Sequence, residues 1–299
     1  MAELLDLIGN TPLLQLKRIA PKGGAPIWAK AEFMNPSGSV KDRAAKAMIL
    51  AGIERGDLCK GKTILDATSG NTGIAYAMIG AALGYPVKLY LPANASAERK
   101  SALRAYGAEI VETDPLEGSD GSYLIAQAEA RERPDLYFYP DQYSSEANPQ
   151  AHYDGTGVEI WEQTQGRVTH FAAITGTSGT FMGTAQRLKE YDKNIWVAAV
   201  QPDSPYHGIE GTRHMASSFN PKFYNPSIAD SQIAVSTEDA FAMARRLARE
   251  EGLFVGISAA ANTIAAVQIA AKLPPSALVV TILCDSGMRY ASDAFWSKP

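Results

Sequence analysis

One lysine in this chain has surroundings suited to covalent chemistry. Lys41 lies in the run Asn35-Pro36-Ser37-Gly38-Ser39-Val40-Lys41-Asp42-Arg43, in which a small-residue turn leads into an alanine-rich helical stretch. A lysine on a first helical turn sits among unpaired backbone amides, at the positive end of the helix dipole. That setting disfavours the protonated amine, and an unprotonated lysine can attack a carbonyl and hold it as a Schiff base. Two hydroxyl-rich turns share the chain with it, Thr68-Ser69-Gly70-Asn71-Thr72-Gly73 and Gly176-Thr177-Ser178-Gly179-Thr180. Each lies between a strand-like and a helix-like run, where amides and hydroxyls can take an anion. The set suggests an anion site and a phosphate site flanking a reactive lysine. The bland alternatives are a solvated surface lysine and two capped helix starts.

The elements that would position these residues alternate along the chain. Strand-like runs at 63–67, 87–91 and 108–112 are followed by helix-like runs at 73–83, 97–106 and 122–133. That βαβαβ order implies a parallel sheet covered on both faces. The pattern restarts at 170–175, continues at 195–200 and ends at 277–283. The expected class is α/β: two doubly wound α/β domains with a cleft between them. Residues 202–231 form a long aperiodic stretch, which in a compact enzyme reads as a lid, a subunit contact or a decorated surface loop.

Several function classes are disfavoured. A net charge of −4 over 299 residues argues against a nucleic-acid or anionic-membrane surface. No run of about 20 apolar residues is present, and the first residues lack the basic and apolar regions of a signal peptide. Two cysteines, Cys59 and Cys284, provide no disulfide framework. The expected location is the cytoplasm. Gly56-Asp57-Leu58-Cys59-Lys60-Gly61-Lys62-Thr63 satisfies the P-loop pattern. It follows a helix and enters a strand, the reverse of what a P-loop needs, so it reads as a helix end and a basic turn. No glycine fingerprint for a dinucleotide stands in the required context. The four histidines show no metal spacing, and no metal is expected.

The runs NPSGSVKDR, TSGNTG and GTSGT, in this order and spacing, resemble the cysteine synthase family of pyridoxal-phosphate enzymes, and its B-type branch in particular. The resemblance runs from Ile8-Gly9-Asn10-Thr11-Pro12-Leu13 to Cys284-Asp285-Ser286-Gly287-Met288-Arg289-Tyr290. It implies the fold-type-II architecture of the tryptophan synthase β kind. Residues 1–37 and 146–299 would form the larger cofactor-binding domain. Residues 38–145 would form a smaller mobile domain carrying Lys41 and the carboxylate loop. It implies pyridoxal 5′-phosphate bound to Lys41, with Asn71 on its phenolic oxygen and Gly176, Thr177, Ser178, Gly179 and Thr180 on its phosphate. Cys284, with Asp285 beside it, would face the pyridine nitrogen. Thr68, Ser69, Gly70, Thr72 and Gln142 would hold the substrate carboxylate.

The implied reaction is β-replacement through an aminoacrylate. O-acetyl-L-serine plus sulfide gives L-cysteine, or with thiosulfate S-sulfocysteine, in a homodimer. Arg213, within Glu210-Gly211-Thr212-Arg213-His214-Met215, matches an arginine of the B-type enzymes and could hold anionic oxygens of thiosulfate or of an O-phosphoserine. Two departures stand out. His214 occupies a position where a second arginine can occur, and Ser258-Ala259-Ala260-Ala261 replaces a Ser-Ser-Gly run. The competing readings are an O-phosphoserine sulfhydrylase, a cystathionine β-synthase-like enzyme, a serine or threonine dehydratase, and a catalytically inactive binding protein of the same fold.

Overall fold

The computed structural model describes residues 3–68, 70–218 and 220–297, without the side chains of 118–120. In chain order the elements are β1 (Leu13–Leu16), β2 (Ile27–Ala31), α1 (Lys41–Glu54), β3 (Thr63–Ala67), α2 (Asn71–Leu83), β4 (Val87–Pro92), α3 (Ala97–Ala105), β5 (Glu109–Thr113), α4 (Gly118–Glu132) and β6 (Tyr137–Phe138). There follow α5 (Ala147–Ala151), a π-helical turn (His152–Thr156), α6 (Gly157–Gln163), β7 (His170–Ile174), α7 (Gly179–Tyr191), β8 (Trp196–Pro202), β9 (Ser231–Val235), α8 (Thr237–Arg246), α9 (Ile257–Ala270) and β10 (Val279–Leu283). The chain forms two compact units, Met1–Ile8 with Lys41–Asn148 and Gly9–Val40 with Pro149–Pro299.

The smaller unit holds a wholly parallel sheet in the order β5-β4-β3-β6. The chain runs outward from β3 to β5, then crosses back to place β6 on the other side of β3. The order therefore reverses between β3 and β6, and ligands in open α/β sheets bind beyond the strand carboxyl ends at such a reversal. Helix α2 is apolar on nearly every face and is correspondingly buried. Gly80 lets it lie close to β4, since a β-carbon there would stand 2.4 Å from Val87 Cγ2. The sequence-based division placed residues 1–37 in the larger unit. In the structure Leu5 and Ile8 join the apolar core of the smaller one, and Lys46 Nζ donates to the Leu5 carbonyl over 2.8 Å.

The larger unit holds the sheet β1-β2-β10-β7-β8-β9, parallel except for β1 against β2. Here the reversal falls between β7 and β10. Helix α9 carries alanines on all sides and is buried against the sheet. Its buried amide side chain, Asn262, satisfies three partners. Oδ1 accepts from the Ile174 amide at 2.6 Å, and Nδ2 donates to the Ile282 carbonyl at 2.8 Å and to Cys284 Sγ at 3.3 Å. The asparagine thus ties the carboxyl ends of β7 and β10 together.

The formal P-loop pattern fails as the sequence indicated. Helix α1 ends at Glu54, Gly56 has φ +78°, and the segment runs into β3.

Candidate active site

In the smaller unit the residues expected to meet a carboxylate cluster at the β3/β6 reversal. The turn after β3 carries Thr68 and Gly70, whose amide donates to Thr68 Oγ1 at 3.3 Å. Gly70 caps α2, so Asn71 and Thr72 are its first two residues and their amides point out of the helix start. Gln142 leaves the segment after β6. It is buried, and Thr72 Oγ1 donates to its Oε1 over 2.9 Å. Asn148 Nδ2 in turn holds the Gln142 carbonyl at 2.8 Å. Ser69 lies outside the described residues. Thr68, Gly70, Asn71, Thr72 and Gln142 are therefore one group, gathered at a helix amino terminus where negative charge is favoured.

Lys41 is the first residue of α1 and is half-buried. The residues leading to it belong to the larger unit and are firmly held. Asn35 accepts from the Gly9 amide at 2.9 Å and donates to Glu32 Oε2 at 2.8 Å, while Glu32 accepts from Thr11 Oγ1 at 2.6 Å. Arg289 donates to the Ser37 carbonyl. Ser39 forms a β-bridge with Asp285, and the Val40 amide donates to the Cys284 carbonyl at 2.8 Å. The last residue before Lys41 is thereby fixed to the carboxyl end of β10.

The larger unit gathers the remaining candidates at its own reversal. The loop 176–180 leaves β7, and Cys284 and Asp285 leave the adjacent β10. Ser178 has φ +67°, an uncommon left-handed conformation for serine, and immediately precedes the 13 residues of α7. Its side chain is buried, yet its hydroxyl has no hydrogen-bond partner. A buried hydroxyl costs free energy unless it is satisfied. Here it stands at a helix amino terminus beside the buried Thr177, an arrangement that fits a phosphate monoester. Thr180 Oγ1 is 3.3 Å from His152 Nε2, and His152 Nδ1 is 2.9 Å from Thr156 Oγ1.

Arg213 comes to the same loop through its backbone, since its amide donates to the Thr175 carbonyl at 3.0 Å. Cys284 is partly buried, its thiol against Asn262. Asp285 is fully buried, with Tyr290 donating to its Oδ2 at 2.7 Å, and a β-carbon on Gly256 would meet its Oδ1 at 2.1 Å.

Two contributors escaped the sequence reading. His152 is one, since its Nε2 lies 3.3 Å from Thr180 Oγ1 and nothing in its sequence neighbours signals that contact. Asn262 is the other, an amide set among the alanines of α9, where burial requires it to be hydrogen-bonded.

Comparison with known proteins places this arrangement. Residues 4–285 match the family model for pyridoxal-phosphate dependent enzymes. The chain is 49% identical over 300 residues to a cysteine synthase of Aquifex aeolicus, covering 98% of this chain and 92% of that one. It is 42% identical over 298 residues to cysteine synthase B of Salmonella typhimurium, covering 100% and 97%. Among solved structures, a cysteine synthase of Entamoeba histolytica superposes with a TM-score of 0.94 at 34% identity, covering 100% of this chain and 91% of that one. With its lysine-headed helix, its two hydroxyl-rich turns at helix starts and this degree of likeness, the chain belongs to the pyridoxal-phosphate dependent enzymes and, within them, to the cysteine synthases.

Proposed function

We propose that the protein makes L-cysteine from O-acetyl-L-serine and sulfide, with thiosulfate as a second donor giving S-sulfocysteine, as a cytoplasmic homodimer. The observation that carries the acceptor half is the Thr72–Gln142 hydrogen bond at the start of α2. It sets a hydroxyl and a carboxamide at the amino terminus of α2, a site for the α-carboxylate of an amino acid. Thr68 and Gly70 complete that turn.

The partnerless Ser178 hydroxyl, with Thr177, Thr180 and the first amides of α7, suits the cofactor phosphate. Asn71 and Cys284 are assigned to its ring, and Asp285 to orienting the Cys284 segment through Tyr290 and Gly256. Bound pyridoxal phosphate supplies the electron sink that makes the substrate Cα–H bond acidic and the β-substituent able to leave. Lys41 would hold the cofactor, and its free amine would be the base that removes the proton at the substrate Cα and later returns it. The carboxylate turn anchors the substrate and helps exclude water during that exchange.

Arg213 is assigned to an anionic oxygen of the donor or acceptor. Its backbone is held beside loop 176–180, and a guanidinium binds such oxygens bidentately. The same observation supports a second reading, an O-phosphoserine acceptor. The test follows the visible band of the cofactor-loaded protein as O-acetylserine, then sulfide or thiosulfate, is added. A band that shifts with acceptor and returns with donor supports the proposal. A band unmoved by O-acetylserine but moved by O-phosphoserine transfers it to the second reading. No response to either overturns both.

A further inference from the structure

Behind the carboxylate turn of the smaller unit lies a buried polar cluster that the reaction above leaves unused. Asp66, on β3, is 1% exposed and sits two residues before Thr68. Its Oδ1 accepts from the Ala67 amide at 2.7 Å, and its Oδ2 has no hydrogen-bond partner. Two more buried polar atoms without partners come from the segment after β6, the Tyr139 hydroxyl and Asp141 Oδ1. Asp141 immediately precedes Gln142 and is held at φ +47°. Its carbonyl accepts the amides of Ser144 and Ser145, at 3.0 and 2.9 Å, so the turn bearing Gln142 is built on this residue.

The neighbours of Asp66 are identifiable element by element. Its partner across β4 is Leu89, which is apolar. From α2 comes Tyr76, whose hydroxyl points to Met48 Sδ at 3.8 Å and gives Asp66 only partial help. From the segment after β6 come Asp141 and Tyr139. From α4 comes Tyr123, whose ring lies 6.4 Å from that of Tyr139. Burial pushes the Asp66 carboxyl up to about 7, with the Ala67 amide and Tyr76 hydroxyl opposing and the charge of Asp141 adding to the rise. Burial and the negative charge of Asp66 raise Tyr76 and Tyr139 as well. The titratable groups around Asp66 are thus acids, and negative charge placed on it is opposed by theirs.

We propose that Asp66 is a positioning residue for the turn that carries Gln142: neutral, it allows the buried oxygens of Asp141 and Tyr139 to stay packed beside it, and ionised, it sets negative charge against them at the base of that turn. The consequence is that acceptor binding weakens as the medium becomes alkaline, while the chemistry at Lys41 is not its target. The link to binding rests on the reading of Gln142 as a contact of the substrate carboxylate.

The test uses the cofactor-loaded protein, in wild type, Asp66→Asn and Asp141→Asn forms, at about pH 6 and about pH 9. Hydrogen–deuterium exchange of peptides spanning 139–148, corrected for intrinsic rates, reads the turn itself. Wild type is expected to lose protection several-fold at the higher pH, and Asp66→Asn to lose none. Asp141→Asn, which removes the other charge, is expected to behave like Asp66→Asn, so the test survives misfolding of either variant. Equal loss in wild type and both variants overturns the proposal. KM for O-acetylserine, measured alongside kcat, reads the consequence. It is expected to rise with pH in wild type and to stay flatter in Asp66→Asn, with parallel kcat profiles. A changed exchange pattern with identical KM profiles overturns the link from Asp66 to substrate. Gln142→Ala separates the two ideas: unchanged KM there removes the reading of Gln142 and leaves the exchange result standing.

Discussion

Gly176 lies against the backbone of Gly211 so closely that a β-carbon on it would stand 2.2 Å from the Gly211 carbonyl oxygen. That approach joins loop 176–180 to the segment carrying Arg213. The partner glycine has φ +73°, a conformation glycine adopts freely. Backbone cannot yield as a flexible side chain can. Gly176→Ala is therefore expected to displace the loop, at a cost of about 1–3 kcal/mol in stability. Cofactor retention should fall with it. Both are read by thermal unfolding and by cofactor absorbance after dialysis. Full retention at wild-type stability would mean the loop does not hold the phosphate.

Removing one arm of the carboxylate turn should weaken substrate binding. A hydrogen bond to a charged group contributes about 1.5–3 kcal/mol. Gln142→Ala is expected to raise KM for O-acetylserine about 10- to 100-fold, and kcat is expected to change less. Thr72→Val, which removes the donor to Gln142 Oε1, should act in the same direction. Steady-state kinetics separates the two constants.

The charge on Asp66 has a stability consequence independent of any substrate. Its carboxyl has an ordinary value of 3.8 and is raised to about 7 in the folded protein. The folded state then binds the proton more tightly than the unfolded state. The resulting stabilisation is fully present below about pH 4 and disappears as pH rises through about 7. Asp66→Asn should have a flatter stability profile over that window and exceed wild type above neutrality. Urea unfolding at a series of pH values checks this.

Asn262 joins two strand ends through buried backbone groups. Asn262→Leu leaves the Ile174 amide and the Ile282 carbonyl without their side-chain partner, and each unsatisfied buried group costs about 1–3 kcal/mol. Global stability should fall, and loop 176–180, which leaves β7 immediately after Ile174, should lose exchange protection.

Much of this molecule can be read from the chain because its strands are apolar runs bounded by turn residues. Thr63–Ala67 was read to the residue, and the runs at 87–91 and 170–175 differ from their strands by one residue. Apolar periodicity reports such elements directly. It cannot report strand order. The reversals at β3/β6 and β7/β10, which group the turn 68–72 with Gln142 and loop 176–180 with Cys284, follow from crossovers that local pattern does not encode. Gln142 itself is unremarkable as a residue and acquires meaning from Thr72, 70 positions away. The packing of Leu5 and Ile8 is hidden for a similar reason. Leu5 and Ile8 are ordinary apolar residues, and only tertiary packing selects which core they join.

Lys41 carries the central claim. The most direct measurement is the rate of L-cysteine formation from O-acetylserine and sulfide by the protein loaded with pyridoxal phosphate, compared with Lys41→Ala loaded in the same way. The account predicts cysteine production by wild type and a fall of about 10³-fold or more in Lys41→Ala, within the range for loss of a positioned acid–base group, with restored binding of the free cofactor but no restored turnover. Cysteine formation at a comparable rate by both proteins would contradict it.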